Sequence, residues 1–197
     1  ITAGCVLLLA HALFKCALFM VVGIIDHEVG TRDIRELDGF SPGWRPVTVV
    51  AIVSAASMAG IPLTFGFIAK EAGYESITIG PFDHSVIVLL TVIAASMLTF
   101  AYSCRFVIGA FFSPAQRIRM DASLSTRMSN PPVTGFWAPA ALLALATMVL
   151  GILPELIQPL IDTAVGALGP ISAPFHAEHL ALWHGFNLPL LESVITI

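Results

Sequence analysis

The sequence GIPLTFGFIAKE (Gly60–Glu71) interrupts a long apolar segment. Glycine weakens a helix, and proline removes a backbone donor and clashes with the preceding turn, which costs about 3 kcal/mol. Gly60, Pro62 and Gly66 therefore predict a break in a helix that would otherwise continue across a membrane. Within a bilayer, irregular backbone is tolerated only against protein or a water-filled cavity, and transporters use such breaks at ion sites. The alternative is an ordinary proline kink, with Lys70 reaching for the headgroups.

The composition is that of an integral membrane protein. Hydrophobic residues make up 57% of the 197 residues and charged residues only 11%, whereas about a quarter of the residues of soluble domains are charged. The chain starts at Ile1 and stops at Ile197, in each case inside an apolar run and without a signal peptide. We therefore expect a piece of a longer polypeptide. The sequence has no glycine-rich phosphate loop, and no cofactor is expected. It also has no basic run that would suggest binding to nucleic acid. The three cysteines lie in apolar runs, so no disulfide framework is implied.

The apolar segments predict an all-α, polytopic transmembrane helical bundle with one discontinuous helix. A span needs about 20 apolar residues. Four full spans are expected, at residues 1–25, 46–73, 85–112 and 136–153, and the second of them is broken at 60–62. A fifth apolar run begins near 188–197.

The arginines predict the orientation of the chain. Six of the nine Lys and Arg residues fall in two loops separated by two crossings, whereas the opposite loops, 74–84 and 154–183, contain none. The positive-inside rule then places the loops 26–45 and 113–134 of this multi-pass protein in the cytoplasm. The six residues are Arg32, Arg35, Arg45, Arg117, Arg119 and Arg127.

Two lysines cannot easily reach an interface. Lys15 lies eleven residues before Asp26, or about 16 Å along a helix, which is close to the middle of a hydrocarbon core of about 30 Å. His11 shares a helix face with it. Burial readily lowers the pKa of a lysine, whereas arginine stays charged, so Lys15 and Lys70 suit proton transfer. The alternative is that each lysine pairs with a carboxylate and holds the bundle together.

Other polar groups carry weaker hypotheses. Asp26 and His27 could gather cations at a cytoplasmic mouth or form an ordinary cluster at a helix end. Glu71 and Glu75, one turn apart, could pair with Lys70 or line an exit. Three histidines with unspecific spacing lie in a segment that is expected to be a solvated interfacial loop, and a metal site is the weak alternative there: His176, His179 and His184. No arrangement of nucleophile and base is present, which argues against an enzyme that makes or breaks covalent bonds.

Two motifs resemble a known family. HALFKCALF, beginning at His11, and the Gly60–Glu71 stretch resemble the antiporter-like subunits of respiratory complex I and of Mrp-type cation/proton antiporters. The stretch VGIIDHEVGTRDI (Val22–Ile34) is more similar to the large A subunit of the Mrp antiporter, as is LWHGFNLPLL (Leu182–Leu191). The resemblance spans nearly the whole chain, which would be a partial antiporter-like transmembrane domain.

The resemblance implies a function and partners. His11 and Lys15 would lie in the middle of a proton path, and Lys70 would exchange protons with the outside. Other membrane subunits of the antiporter would be partners, and inward H⁺ movement would drive Na⁺ outward. Many relatives have a second histidine where this chain has Leu7. The alternatives are a proton-pumping subunit of complex I and a purely structural membrane subunit.

The predicted topology can be tested by cysteine labelling of intact cells, on a background lacking the three native cysteines. A cysteine at Ser123 is expected to resist an impermeant thiol reagent applied from outside, because the arginines of its loop predict that the loop lies in the cytoplasm. A cysteine in the loop 74–84 is expected to react. Rapid labelling at Ser123 would overturn the assignment.

Overall fold

The computed structural model describes residues 1–37, 40–79, 85–112 and 122–168, which form an all-helical bundle. Two short 3₁₀ turns, at Pro42–Trp44 and Pro154–Leu156, precede the second and last helices. The helices are α1 (Thr2–Val29), α2 (Arg45–Ala59), α3 (Phe65–Ile79), α4 (Ser85–Val107, followed by a π-helical turn at Ile108–Phe112), α5 (Ala122–Ser129), α6 (Thr134–Ile152) and α7 (Gln158–Ala167).

Three of the described helices are long and apolar enough to cross a membrane: Thr2–Val29, Val86–Phe112 and Thr134–Ile152. The second predicted span is built differently, because α2 and α3 have 15 residues each. Each is too short to cross a hydrocarbon core of about 30 Å alone. The helical segments α5 and α7 come from stretches for which the sequence predicted only loops.

The interruption between α2 and α3 is a glycine cap followed by a short irregular segment. Gly60 has a left-handed backbone (φ 83°), and its N–H donates to the carbonyls of Ala56 (3.0 Å) and Ser57 (3.1 Å). The Ile61 N–H also donates to the Ala56 carbonyl, at 3.0 Å. This is the Schellman arrangement, which ends a helix at glycine and is commonly followed by proline. Leu63, at φ 71°, extends the irregular segment to Thr64, beyond the expected 60–62.

One residue of the expected break is helical. Gly66 is the second residue of α3, so the prediction of a second weak point there is wrong. Its small size serves packing instead, because a Cβ atom at Gly66 would lie 1.8 Å from the carbonyl oxygen of Ser57 in α2. Gly151 of α6 has the same role from the other side, since its Cβ would lie 2.5 Å from the carbonyl oxygen of Leu63. Protein therefore covers the irregular segment on the side of Gly60 and Thr64, which are buried, whereas Pro62 and Leu63 are exposed.

The first helix is the centre of the bundle, because it packs against α2, α3, α5, α6 and α7. Its buried residues feed two apolar clusters. One, at the end that carries Arg32 and Arg35, includes Val21 and Trp44; the other surrounds the interruption and includes Phe14 and Phe65. Burial in these clusters, rather than any local signal, fixes how α2 and α3 are placed against α1.

The close approach at Gly66 can be tested with two matched glycine variants. Gly66→Ala should destabilise the protein by several kcal/mol, since its methyl group overlaps backbone atoms that cannot move aside. Gly23→Ala in α1 meets no atom within 4 Å, so it should be neutral or stabilise by about 0.5–1 kcal/mol. Denaturant titration of the purified full-length protein checks both. Equal stability of the two variants would show that α2 and α3 do not pack as described.

Candidate functional site

Lys70 folds back across the interruption. Its alkyl chain covers Gly60, where an added Cβ would lie 2.6 Å from the Lys70 Cδ atom. The Nζ atom donates a hydrogen bond of 2.6 Å to the carbonyl oxygen of Ala59, the last residue of α2. The final carbonyls of a helix have no partner within that helix and carry the negative end of its dipole. Lys70 is thus a cap for α2, although it belongs to α3.

His11 and Lys15 lie one turn apart on α1, as the sequence predicts. The His11 ring is exposed and meets the Phe14 ring edge-on, with 5.3 Å between centroids. The half-buried Lys15 side chain places Nζ 5.6 Å from the centre of the Tyr102 ring. A cation at this distance from an aromatic face is attracted by the ring quadrupole.

All three of these residues border one cavity of about 190 Å³. The cavity lies where α1, α2, α3 and α4 meet, and it has room for several water molecules. Its polar lining comes from His11, Lys15, Ser57, Lys70, Thr99 and Tyr102, and its apolar lining includes Leu7. The fold therefore brings residues 55 positions apart in sequence, Lys15 and Lys70, to the same space.

Tyr102 is a cavity residue that the sequence reasoning missed. Its hydroxyl group contacts the Met58 sulfur at 3.4 Å, so the ring spans from α4 to α2 while its face meets Lys15. Thr99, one turn earlier, also borders the cavity. The available signal was the helical spacing of Thr99 and Tyr102, which places both side chains on one face of α4.

Ser57 holds the start of α3 in place. Its hydroxyl oxygen accepts a hydrogen bond of 3.1 Å from the Gly66 N–H, and it lies 2.7 Å from the hydroxyl oxygen of Thr147 in α6. Both hydroxyl groups are fully buried. The first N–H groups of a helix lack partners within it, so this contact satisfies a buried donor.

The carboxylates on α3 lie further along the helix than Lys70. Glu71 is buried and Glu75 half-buried, and neither borders the cavity. Tyr74, between them, is buried and donates a hydrogen bond of 2.9 Å to the hydroxyl of Ser96 in α4. Glu71 therefore does not line the space that Lys15 and Lys70 share.

The acidic cluster at the end of α1 is engaged in local contacts away from the cavity. Asp26 pairs with Arg32 at 2.6 Å, and His27 contacts Glu28 at 3.3 Å. The ring of His27 also meets that of Phe136, with 5.0 Å between centroids. In the following loop, hydrogen bonds from the Arg35 guanidinium and backbone lower the pKa of Asp33 to about 2. These groups form a charged network at a helix end.

Some predicted features lie outside the described residues. They include the fifth apolar run at 188–197, the motif at 182–191, the loop arginines Arg117 and Arg119, and the histidines of the weak metal hypothesis, His176, His179 and His184.

Comparison with known proteins identifies the chain's relatives. Residues 1–100 match the family model described as "NADH:quinone oxidoreductase/Mrp antiporter, TM". A relative from Rhizobium meliloti, named as the A/B subunit of a probable K(+)/H(+) antiporter, is 39% identical over 193 residues, covering 95% of this chain and 18% of the relative. The putative antiporter subunit mnhA2 of Staphylococcus saprophyticus is 36% identical over 202 residues, covering 96% of this chain and 24% of the relative.

A solved structure is also similar. A chain in the structure of the Mrp complex from Dietzia sp. DQ12-45-1b superposes with a TM-score of 0.74 and 34% identity, over 95% of this chain and 19% of that one. The present chain thus spans about a fifth of the length of the proteins it matches.

The Ser57 contacts predict a difference between two buried serines on α2. Ser57→Ala should destabilise the full-length protein by about 1–3 kcal/mol, because the Gly66 N–H and the Thr147 hydroxyl group lose a buried partner. Ser54 is equally buried, but its hydroxyl has no hydrogen-bond partner among the described residues. Ser54→Ala should therefore be neutral or stabilising. Denaturant titration measures both, and a Ser54→Ala variant as unstable as Ser57→Ala would contradict the assignment.

Proposed function

Because the chain belongs to the NADH:quinone oxidoreductase/Mrp antiporter transmembrane family, we propose that it is part of the large A-type subunit of an Mrp-type cation/proton antiporter. The observation that carries the proposal is the cavity bordered by His11, Lys15 and Lys70. These three side chains form a set through which a proton can move. The names of the relatives support a component of an antiporter over one of complex I.

The proposed relay works through the protonation of the two lysines. Both side chains border one small cavity, so a proton released by one lysine would reach the other through it. His11, one turn from Lys15, supplies a further proton acceptor on the same helix face. The Ala59 carbonyl and the Tyr102 ring stabilise the cationic forms of Lys70 and Lys15 respectively. Water in the cavity would link the groups.

The transported cation and the direction of transport belong to the whole complex. We take Na⁺ as the exported ion and inward H⁺ movement as the driving force, with other membrane subunits as partners. The relative from Rhizobium meliloti is named for a K(+)/H(+) antiporter, so Na⁺ and K⁺ are to be compared directly. The arginine-bearing loops 26–45 and 113–134 would face the cytoplasm of a bacterial cell, with Lys70 acting towards the outside.

A structural role for the lysines is the competing hypothesis. It requires each ammonium group to hold the bundle together through a carboxylate. Within the described ranges, the ion pairs are Asp26–Arg32, His27–Glu28 and Asp33–Arg35, none of which includes a lysine. The contacts of Lys15 and Lys70 are instead an aromatic face and a backbone carbonyl. Both contacts allow the ammonium group to lose its proton.

Substitution of Lys70 in the intact complex tests the relay. Lys70→Arg keeps the charge but cannot release a proton, so it should leave the complex assembled and slow proton-coupled cation efflux roughly tenfold or more. Lys70→Ala should slow it at least as much. Fluorescence-dequenching assays on vesicles, with Na⁺ and K⁺ in turn and rates normalised to complex abundance, measure the effect.

Arg105→Lys is the matched control, because Arg105 is exposed on α4 and does not border the cavity. It should exchange cations at the normal rate. If Lys70 has a structural role instead, Lys70→Arg should be tolerated and Lys70→Ala should prevent assembly of the complex. Near-normal exchange by Lys70→Arg would therefore exclude the relay.

A further inference from the structure

A second concave feature lies on the outside of the bundle, between α2 and α6. It is a groove of about 470 Å³ that opens outward, with Val50 and Ala144 buried in its floor and Val49 and Leu145 exposed on its walls. Arg45 is the single charged residue among those that line it, and Trp137 stands opposite, near the start of α6. The groove shares no residue with the cavity of the lysines.

We infer that this groove binds one anionic phospholipid, with an acyl chain between α2 and α6 and the phosphate at Arg45. The length of the groove fits one leaflet. The lining residues run from Arg45 to Val53 on α2 and from Trp137 to Met148 on α6. At 1.5 Å per residue these distances are about 12 and 16 Å, and half of a 30 Å hydrocarbon core is about 15 Å.

The charge at the open end favours an anionic headgroup. Arg45 is exposed, and no hydrogen bond or ion pair of its side chain is found within the described part of the chain, whereas Arg32 and Arg35 each pair with an aspartate. Arg45 is also the first residue of α2, and α6 begins nearby at Thr134, since the Trp44 indole donates a hydrogen bond to the Asn130 carbonyl. Two helix N-termini with their positive dipole ends therefore add to the guanidinium charge at the same membrane face.

The indole and the groove wall complete the match to a lipid. Tryptophan rings are enriched at the level of the headgroups, where an apolar ring and an N–H group are both satisfied. If Arg45 binds the phosphate, Trp137 lies at the level of the headgroups, because Arg45 and Trp137 each lie in the first turn of their helix. Below them the lining is apolar down to Met148. Basic sites between transmembrane helices bind lipid headgroups in this way.

Photo-crosslinking of the intact antiporter complex in nanodiscs tests the site. The probes are phosphatidylglycerol and phosphatidylcholine, each with a diazirine in the acyl chain and present at equal mole fraction. Phosphatidylglycerol should label peptides of α2 and α6 about fivefold more than phosphatidylcholine, which corresponds to the attraction of one basic residue to an anionic headgroup. Arg45→Gln should reduce this ratio to near one.

Three further variants make the result specific. Arg45→Lys should retain the preference for phosphatidylglycerol, and Arg105→Gln, which removes an exposed arginine outside the groove, should leave the preference unchanged. Val49→Trp should reduce labelling by both lipids, because its side chain would fill the groove. Equal labelling by the two lipids in the unaltered complex would overturn the anionic preference. No labelling of α2 or α6 by either lipid would show that protein covers the groove and would overturn the site altogether.

Discussion

The structure depends on one constraint, which is that the backbone groups freed between α2 and α3 must find hydrogen-bond partners outside their own helices. An unsatisfied polar group costs several kcal/mol in an apolar medium. The protein meets this cost with two side chains. Lys70 donates to the last carbonyl of α2, and Ser57 accepts from an N–H at the start of α3. Each side chain belongs to the helix opposite the group that it satisfies, so the two half-helices hold each other in place.

The same two contacts shape the candidate site. Because Lys70 turns back towards Ala59, its ammonium group borders the cavity together with Lys15 and does not extend away from it. A neutral amine still carries N–H donors, so the Ala59 carbonyl can remain paired after Lys70 loses a proton. The cap and the proton relay are therefore compatible. The structural role of Lys70 requires only an N–H donor, whereas its proposed role in the relay requires a change of charge.

The two ends of the bundle use polar groups differently. At the end that carries the arginines, charged side chains form exposed ion pairs, such as Asp33 with Arg35, and Arg45 is left at the mouth of an apolar groove. Around the interruption, by contrast, the buried polar groups are mainly hydroxyls, among them Ser57 and Thr147. A hydroxyl group costs far less to bury than a charge. The bundle can therefore surround two lysines with a largely neutral lining.

The sequence by itself predicted the all-helical membrane fold and the interruption at Gly60 and Pro62. It also predicted that His11 and Lys15 share a face. These features are local, because they follow from apolar run length, helix periodicity and the chemistry of glycine and proline. The roles of His11, Lys15 and Lys70 in proton movement remain proposals.

Only the tertiary structure decided which distant groups meet. Gly66 was predicted to weaken a helix, but it lies inside α3, where its missing side chain lets the Ser57 backbone approach. Tyr102 lies 87 positions from Lys15, and Thr147 lies 90 positions from Ser57, yet each pair is in contact. No local pattern encodes such contacts. They depend on how α1, α2, α4 and α6 pack, which is determined by burial of all their apolar faces together.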